Sequence, residues 1–242
     1  AIAYEDPSLS SAPSPPSWPG SVPAIHVVRS AWTDMAFAGV ARRPVSLLGS
    51  PGARMSPAMA KPPIPHPILS TARLRLRQFC ADDTDAMHRC FSDPDAMRFW
   101  DHTVHTKLIE SERAVRRFID CTPSYYRFWA VTEAGSDRCI GMVNYHDGAM
   151  RSRRATIGYI VDPARHRAGI AFEAVSAMLD FCFGELGLHR VQALIHPGNT
   201  ASRRLAEKLG FRCEGQLRDH LRVGGEWRDD MLYALLKTDA RG

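Results

Sequence analysis

The sequence predicts an α+β fold, one domain from Ile68 to the C-terminus arranged around a mixed sheet. Three observations carry this. Regular hydrophobic periodicity starts only at Ile68, and from there strand-type and helix-type runs follow in the order β-α-α-β-β-β-α-β-α-β-β without an internal repeat. The preceding 67 residues hold 13 of the 17 prolines, in runs such as Ser14-Pro15-Pro16 and Lys61-Pro62-Pro63-Ile64-Pro65-His66-Pro67. Proline removes amide donors and restricts the residue before it, so 1–67 reads as disordered or loosely packed and 68–242 as the domain. Within the first stretch only Ala24–Val40 is apolar enough for a short helix or strand.

Leu74-Arg75-Leu76-Arg77 alternates as a half-exposed strand does. Asp82 to Phe91 reads as a helix with an acidic start, and Glu110 to Ile119 as a second. Tyr126–Glu133, Cys139–Tyr145 and Ala155–Val161 are strand-like. A long helix spans Gly169 to Leu186 and ends at Gly187. Arg190–Ile195 is a strand, and Thr200 to Leu209 a short helix closed by Gly210. Gln216–Val223 and Trp227–Leu236 form a final hairpin across Gly224-Gly225.

Bulk properties exclude several classes. Net charge is +5, too diffuse for a dedicated nucleic-acid binder but compatible with a polyanionic small ligand. No window approaches 18 uninterrupted apolar residues, so no membrane span is expected. Cys80, Cys90, Cys121, Cys139, Cys182 and Cys213 lack C-x-x-C or zinc-type spacing. They read as reduced, mostly buried thiols in a cytoplasmic protein without a metal. Arg42-Arg43 is not followed by the apolar run of an export signal, and Glu5, Asp6 and Asp34 count against a transit peptide.

The chemistry concentrates in Ile157-Gly158-Tyr159-Ile160-Val161-Asp162-Pro163-Ala164-Arg165-His166-Arg167-Ala168-Gly169-Ile170-Ala171. A strand runs into a basic turn that opens a helix. The helix N-terminus offers unpaired amides and a partial positive charge, which suits phosphate or pyrophosphate. Gly169 allows close backbone approach, and Arg165, His166 and Arg167 add charge. Neither G-x-x-x-x-G-K-[ST] nor G-x-G-x-x-G occurs, which removes the P-loop and Rossmann readings. A plain solvated basic turn is the competing account.

This segment resembles the acetyl-CoA pyrophosphate loop of the GNAT superfamily, Q/R-x-x-G-x-G/A, here His166-Arg167-Ala168-Gly169-Ile170-Ala171. Three further blocks resemble the RimJ/RimL group of ribosomal-protein N-terminal acetyltransferases. They are Ser70-Thr71-Ala72-Arg73-Leu74-Arg75-Leu76-Arg77, the block from Asn199 through Ser202 to Glu207-Lys208-Leu209-Gly210-Phe211, and Glu214-Gly215 with Trp227–Tyr233. The resemblance covers roughly Ile68 to Lys237.

It implies a mostly antiparallel sheet whose central strands, Ala155–Val161 and Arg190–Ile195, splay to admit pantetheine. It further implies acetyl-CoA bound by Ile160, Val161, His166, Arg167, Ala168, Gly169, Ile170, Ala171, Asn199 and Ser202, with no metal. The partner would be an amine acceptor, either a protein N-terminus or a small amine, for a monomer or homodimer. A non-catalytic acyl-CoA-binding module is the rival from another class.

Asn199 also suits an ordinary helix N-cap. Ser202 falls where the group has a serine near the CoA sulfur, whereas the tyrosine of many relatives is Ala206 here. Thr156 stands where many relatives carry a glutamate base, so His146, Asp147, His196, Glu226 or a water chain remain candidates. Of these, His146 and His196 have the side chain whose ordinary pKa suits the task. Tyr145, Trp100, Trp129 and Phe99 can line an acceptor pocket or the core; Leu209 and Phe211 read as core.

If 1–67 packs on nothing, a chain starting at Met59 keeps a cooperative melt and binds acetyl-CoA as the full chain does. Calorimetry and titration of both forms check this, and loss of folding in the shorter form would refute it.

Overall fold

The computed structural model describes residues 66–121 and 125–239. The readings for 1–67 and for Ala24–Val40 therefore lie outside the described residues, apart from His66 and Pro67. These two are tied to the sheet: His66 Nε2 lies 2.8 Å from Phe128 O, and Trp129 Nε1 donates to Pro67 O at 2.9 Å.

The elements are β1 (Leu69–Ser70), β2 (Leu74–Arg77), α1 (Thr84–Phe91), α2 (Pro94–Met97), α3 (Leu108–Ile119), β3 (Arg127–Glu133), β4 (Cys139–Ala149) and β5 (Arg154–Val161). They continue with α4 (Ile170–Phe183), β6 (Arg190–Ile195), α5 (Thr200–Lys208), β7 (Arg212–Val223) and β8 (Glu226–Leu236). One eight-stranded sheet runs β1-β2-β3-β4-β5-β6-β8-β7. Every neighbouring pair is antiparallel except β5 and β6, which are parallel.

Two cores sit on opposite faces. On one, α4 packs Val175, Met178, Leu179 and Cys182 against Leu74, Leu76, Trp129, Tyr145 and Val191, and α5 adds Ala206 with Leu209 and Phe211 close behind. On the other, α1 and α3 set Met87, Phe91, Val115 and Phe118 against Phe128, Met142 and Ile160. The period-2 alternation of the strands supplies both layers, which is why the central strands read as nearly continuous apolar runs.

The sequence reading missed α2. It is one turn, started by Asp93, whose Oδ1 accepts from Ala96 N at 2.8 Å, with Pro94 at the first helical position; four residues are too few to show periodicity. The predicted end of β4 at Tyr145 is short by four residues, because pairing with β5 resumes past a bulge between His146 and Ala149. The thiols are all free, but Cys80 and Cys213 are exposed and only Cys90, Cys139 and Cys182 fully buried. Burial pushes the Cys182 thiol up to about 12. No helix among the described residues is long and apolar enough to cross a membrane.

Arg77 departs from simple alternation. It is buried, and its guanidinium holds Asp83 in two bonds of 2.8 and 2.9 Å. Asp83 also accepts from Cys80 N at 2.9 Å, so one ion pair joins β2 to the turn before α1. Removing one partner of a buried pair leaves an uncompensated charge, so Asp83→Ala should cost about 3–5 kcal/mol in urea unfolding. Arg77 also contacts Asp137, whose side chain is 68% exposed; Asp137→Ala should cost under about 1 kcal/mol.

Candidate functional site

The parallel strands β5 and β6 pair only over Arg154–Ile157 and Arg190–Ala193. Beyond Ile157, β5 stays bonded to β4 through Gly158–Val161, and β6 stays bonded to β8 through Leu194–Ile195. Each strand is held on its outer side, so the two part and leave facing backbone edges free. Gly158 lets Asn144 approach closely on this rim: a Cβ there would come 2.7 Å from Asn144 Oδ1 and push that side chain aside.

β5 leads directly into the basic turn. Asp162 Oδ1 accepts from Ala164 N at 3.0 Å, and its Oδ2 pairs with Arg89 at 3.3 Å. Arg167 and Gly169 take left-handed backbone, φ 63° and 76°. The first intrahelical bond of α4 runs from Glu173 N to Gly169 O at 3.1 Å. The amides of Ile170, Ala171 and Phe172 therefore precede the helical ladder and are free to meet an anion. The loop cations are not equivalent. Arg165 is drawn to Glu133 at 3.2 Å, and His166 Nε2 donates back to Val161 O at 2.9 Å, while Arg167 has no charged partner among the described residues.

A clamp from the N-terminal hairpin fixes the loop. Arg73 Nε and Nη2 reach Glu173 at 2.7 and 2.6 Å, Nη1 donates to Ala168 O at 3.0 Å, and Thr71 Oγ1 donates to the same carboxylate. These bonds, together with the proton-donating amide of Arg73, hold the Glu173 carboxyl below its ordinary range. The Thr-x-Arg opening of the domain thus supports the loop from behind.

Across the gap, Asn199 caps α5 by accepting from Ser202 N at 3.1 Å, as its sequence position predicts. Ser202 lies on the first turn. The Tyr159 hydroxyl from β5 lies beside the Ser202 side chain, buried and without an aligned hydrogen bond, and burial raises its pKa above the ordinary tyrosine value. Sequence reading did not single out Tyr159; its signal was the alternation that sends residues 157 and 159 to the face covered by α4 and α5.

The other face carries Thr156, Gly158 and Ile160, because cross-strand partners share a side. Gln192 Nε2 donates to Thr156 Oγ1 at 3.1 Å there. His146 lies opposite Thr156, one step below the gap. Its Nδ1 accepts from Asn144 Nδ2 at 3.0 Å and its Nε2 is 3.9 Å from Asp147. Burial keeps the imidazole neutral by lowering its pKa, and the Asn144 bond occupies its lone pair. His196, just past β6, stacks on Phe99 with centroids 4.9 Å apart and accepts from Gly198 N at 3.0 Å through Nδ1. Of the four aromatic candidates, Trp129 and Tyr145 are fully buried core, Trp100 packs beside Phe91 on the α1 and α3 side, and Phe99 stacks on His196 past the end of β6. Glu226 lies at the far end of β8, in the hairpin turn.

A broad depression of about 980 Å³ lies along the outer side of α4, lined by Thr71, Arg73, Phe172, Glu173, Asp180 and Glu185 among others. It meets the α4 N-terminus at Gly169, and farther along its carboxylates Asp180 and Glu185 suit a polyphosphate poorly, so the gap and the α4 N-terminus define the candidate site. Among the described residues no cluster of His, Cys, Asp or Glu could hold a metal ion.

A family model described as an acetyltransferase (GNAT) domain matches residues 73–212. A Bacillus subtilis (strain 168) protein named "Uncharacterized N-acetyltransferase YoaA" is 33% identical over 176 residues, 71% of this chain and 97% of that protein. The "[Ribosomal protein uS5]-alanine N-acetyltransferase" of Escherichia coli (strain K12) is 27% identical over 169 residues, 62% of this chain and 87% of its own. Among solved structures, the "acetyltransferase (GNAT family) from Bacillus anthracis" superposes with TM-score 0.64 at 29% identity, covering 70% of this chain and 98% of that one.

Proposed function

The chain belongs to the GNAT acetyltransferase family and is an N-acetyltransferase, and from that premise we propose that it acetylates a primary amine from acetyl-CoA, foremost a protein N-terminal amine. The observation that carries this reading is the parting of β5 from β6 directly above the unpaired amides of α4. One slot then offers strand edges for amide-bearing pantetheine and a helix N-terminus for the pyrophosphate.

In this reading Arg167, Ala168, Gly169, Ile170 and Ala171 cradle the pyrophosphate. His166 contributes by holding the turn to Val161, and the free edge of Ile160 and Val161 pairs with pantetheine. When bound, the thioester supplies an acyl group activated toward amines. Ser202 and Tyr159 hold protons beside the leaving sulfur, and Asn199 sets the start of α5 so that Ser202 faces the gap. Both hydroxyls are on the cofactor face, so the amine enters from the face of α1 and α3.

The preference for a protein N-terminus rests on the RimJ/RimL-like blocks and on the E. coli relative whose name specifies an alanine of ribosomal protein uS5. The test is thiol release from acetyl-CoA with an Ala-starting hexapeptide and with spermidine. Turnover with the peptide is expected; turnover with spermidine alone redirects the acceptor to small amines, and none with either leaves acyl-CoA binding without catalysis. Gly169→Asp in the same assay should weaken CoA binding about 100-fold or more. It places a negative charge at the helix N-terminus and a Cβ where φ is +76° and Arg73 Nη2 only 3.4 Å away. Unchanged affinity in a folded variant refutes the loop assignment.

Ser202→Ala separates mechanism from helix stability. If the hydroxyl serves the leaving thiolate, kcat falls on the order of 10- to 1000-fold while CoA affinity and Tm hold. A helix-local hydroxyl gives the reverse pattern, and unchanged kcat with saturating amine removes Ser202 from the reaction.

A further inference from the structure

The acceptor side of the gap holds a carboxyl that the fold leaves unsatisfied. Asp101 Oδ1 is shut off from solvent and accepts no hydrogen bond. Asp101 lies between α2 and α3 on a segment laid over the gap-side ends of β6 and β8. Two residues earlier Phe99 stacks on His196, and Arg228 Nη1 of β8 donates to Arg98 O at 3.2 Å. Asp230 of β8 is buried as well and immediately precedes Met231, which pairs with Ile195. That register sets Asp230 beside the first residue beyond the paired end of β6, on the face opposite Ser202 and Tyr159.

A buried carboxylate oxygen without a donor is costly, and a second carboxylate nearby makes it costlier. Asp230 is partly compensated by His220, whose Nδ1 is 2.9 Å from Oδ2. Asp101 has no such partner. A cationic ligand with several N–H donors satisfies this arrangement, and the substrate of amine acetylation is one. Thr156 offers no carboxylate, His146 has its lone pair occupied and Asp230 is engaged by His220, so among the described residues Asp101 is the carboxyl on this face with a buried oxygen left unsatisfied.

Resting on the acetyl-transfer reading above, we propose that the Asp101 carboxylate, backed by Asp230, holds the acceptor's ammonium group at the acceptor mouth of the gap and takes the proton that frees its lone pair. The ammonium gives one proton to Asp101 Oδ1. The nitrogen pair forms the C–N bond to the acetyl carbon, the C–S bond breaks, and its electrons leave on sulfur. The nitrogen sheds a second proton as the amide forms, matching the one that the thiolate takes up. Asp101 then returns its proton to solvent, and nothing is oxidised or reduced.

Burial raises the Asp101 carboxyl to about 7, with the charge of Asp230 adding to the shift and a bond from its own amide opposing it. A base poised there matches a reaction near neutrality. The charged group that acts on it through space is Asp230 of β8. Arg98 and His102 flank it on its own segment, His220 of β7 pairs with Asp230, His196 stacks on Phe99, and Arg228 of β8 donates to the Arg98 carbonyl. Because the folded value lies above the ordinary one, ionised Asp101 weakens the fold as pH rises from about 4 toward 7. Asp101→Asn should therefore melt no lower than the unaltered chain at pH 8, and its folding is not the obstacle.

The experiment is kcat/KM for the better of the hexapeptide and spermidine from pH 5.5 to 9.5, for the unaltered chain, Asp101→Asn and Asp230→Asn. Asp101→Asn should lose about 100-fold or more at pH 6.5. The loss should shrink toward pH 9.5, by which an α-amine with pKa of about 8 is neutral and an aliphatic amine of spermidine, with a lysine-like pKa of about 10.4, is becoming so. CoA affinity should not change. Asp230→Asn should shift the lower inflection of the profile downward, since one neighbouring charge is gone. An undiminished rate in Asp101→Asn at pH 6.5, or an equal loss at every pH, overturns the proposal while leaving acetyl transfer standing. Absence of thiol release from the unaltered chain overturns both.

Discussion

The site depends on a single constraint, the parting of β5 and β6 after four paired residues. Neither strand can follow the other, because β5 is bonded to β4 as far as Val161 and β6 to β8 as far as Ile195. Each therefore presents one row of unpaired backbone groups to a slot through the sheet. Backbone polar groups along such edges seek partners, and a ligand entering the slot can supply them. Everything else in the site is arranged around this slot: the α4 N-terminus at one end, Ser202 and Tyr159 on one face, Asp101 and Asp230 on the other.

This arrangement separates two chemistries that would interfere in one pocket. The anion-binding loop and the hydroxyls lie with α4 and α5, in a field made positive by free amides and Arg167. The carboxylates lie on the face covered by α1 and α3, where a positive field would raise the cost of bringing in an ammonium group. In the reading proposed above, the sheet is the partition and the slot is where the reactants meet. His146 and His196 illustrate how placement outranks residue type: both are near the slot, yet each has a ring nitrogen committed to a neighbour, Asn144 in one case and Gly198 in the other.

Most of the fold was legible in the sequence because its long elements are strongly patterned. Arg190–Ile195 was read to the residue, and the α4 start was marked by Gly169, which caps the helix in left-handed backbone. The elements misread include β1, which is only two residues long, α2, the last four residues of β4 and the first four of β7. A side-chain cap starts α2, and pairing across irregularities extends β4 and β7, none of which has a period. On the site, the loop was legible because strand, turn and helix are contiguous. Arg73, Thr71 and Glu173 stand out as a cluster only in space, since the sequence separates them by about one hundred positions. Asp101 was not legible at all: its neighbours Phe99 and Trp100 drew attention as aromatics, and nothing in the order of residues shows that one carboxyl oxygen ends up dry.

The clamp of Arg73 on Glu173 and Ala168 has a consequence for how the protein is made. Its two ends emerge from the ribosome 95 to 100 residues apart. The anion loop therefore cannot take its final shape on a partly synthesised chain, however complete β1 to β3 are. Contacts of such long sequence separation close late, and they slow folding in proportion to the entropy they must overcome. A ligand that binds across the clamped loop recognises only chains in which that late closure has occurred, and at 100 times its Kd it adds about 2.7 kcal/mol to their stability. Binding of such a ligand would therefore favour chains in which the loop has closed over those in which it has not.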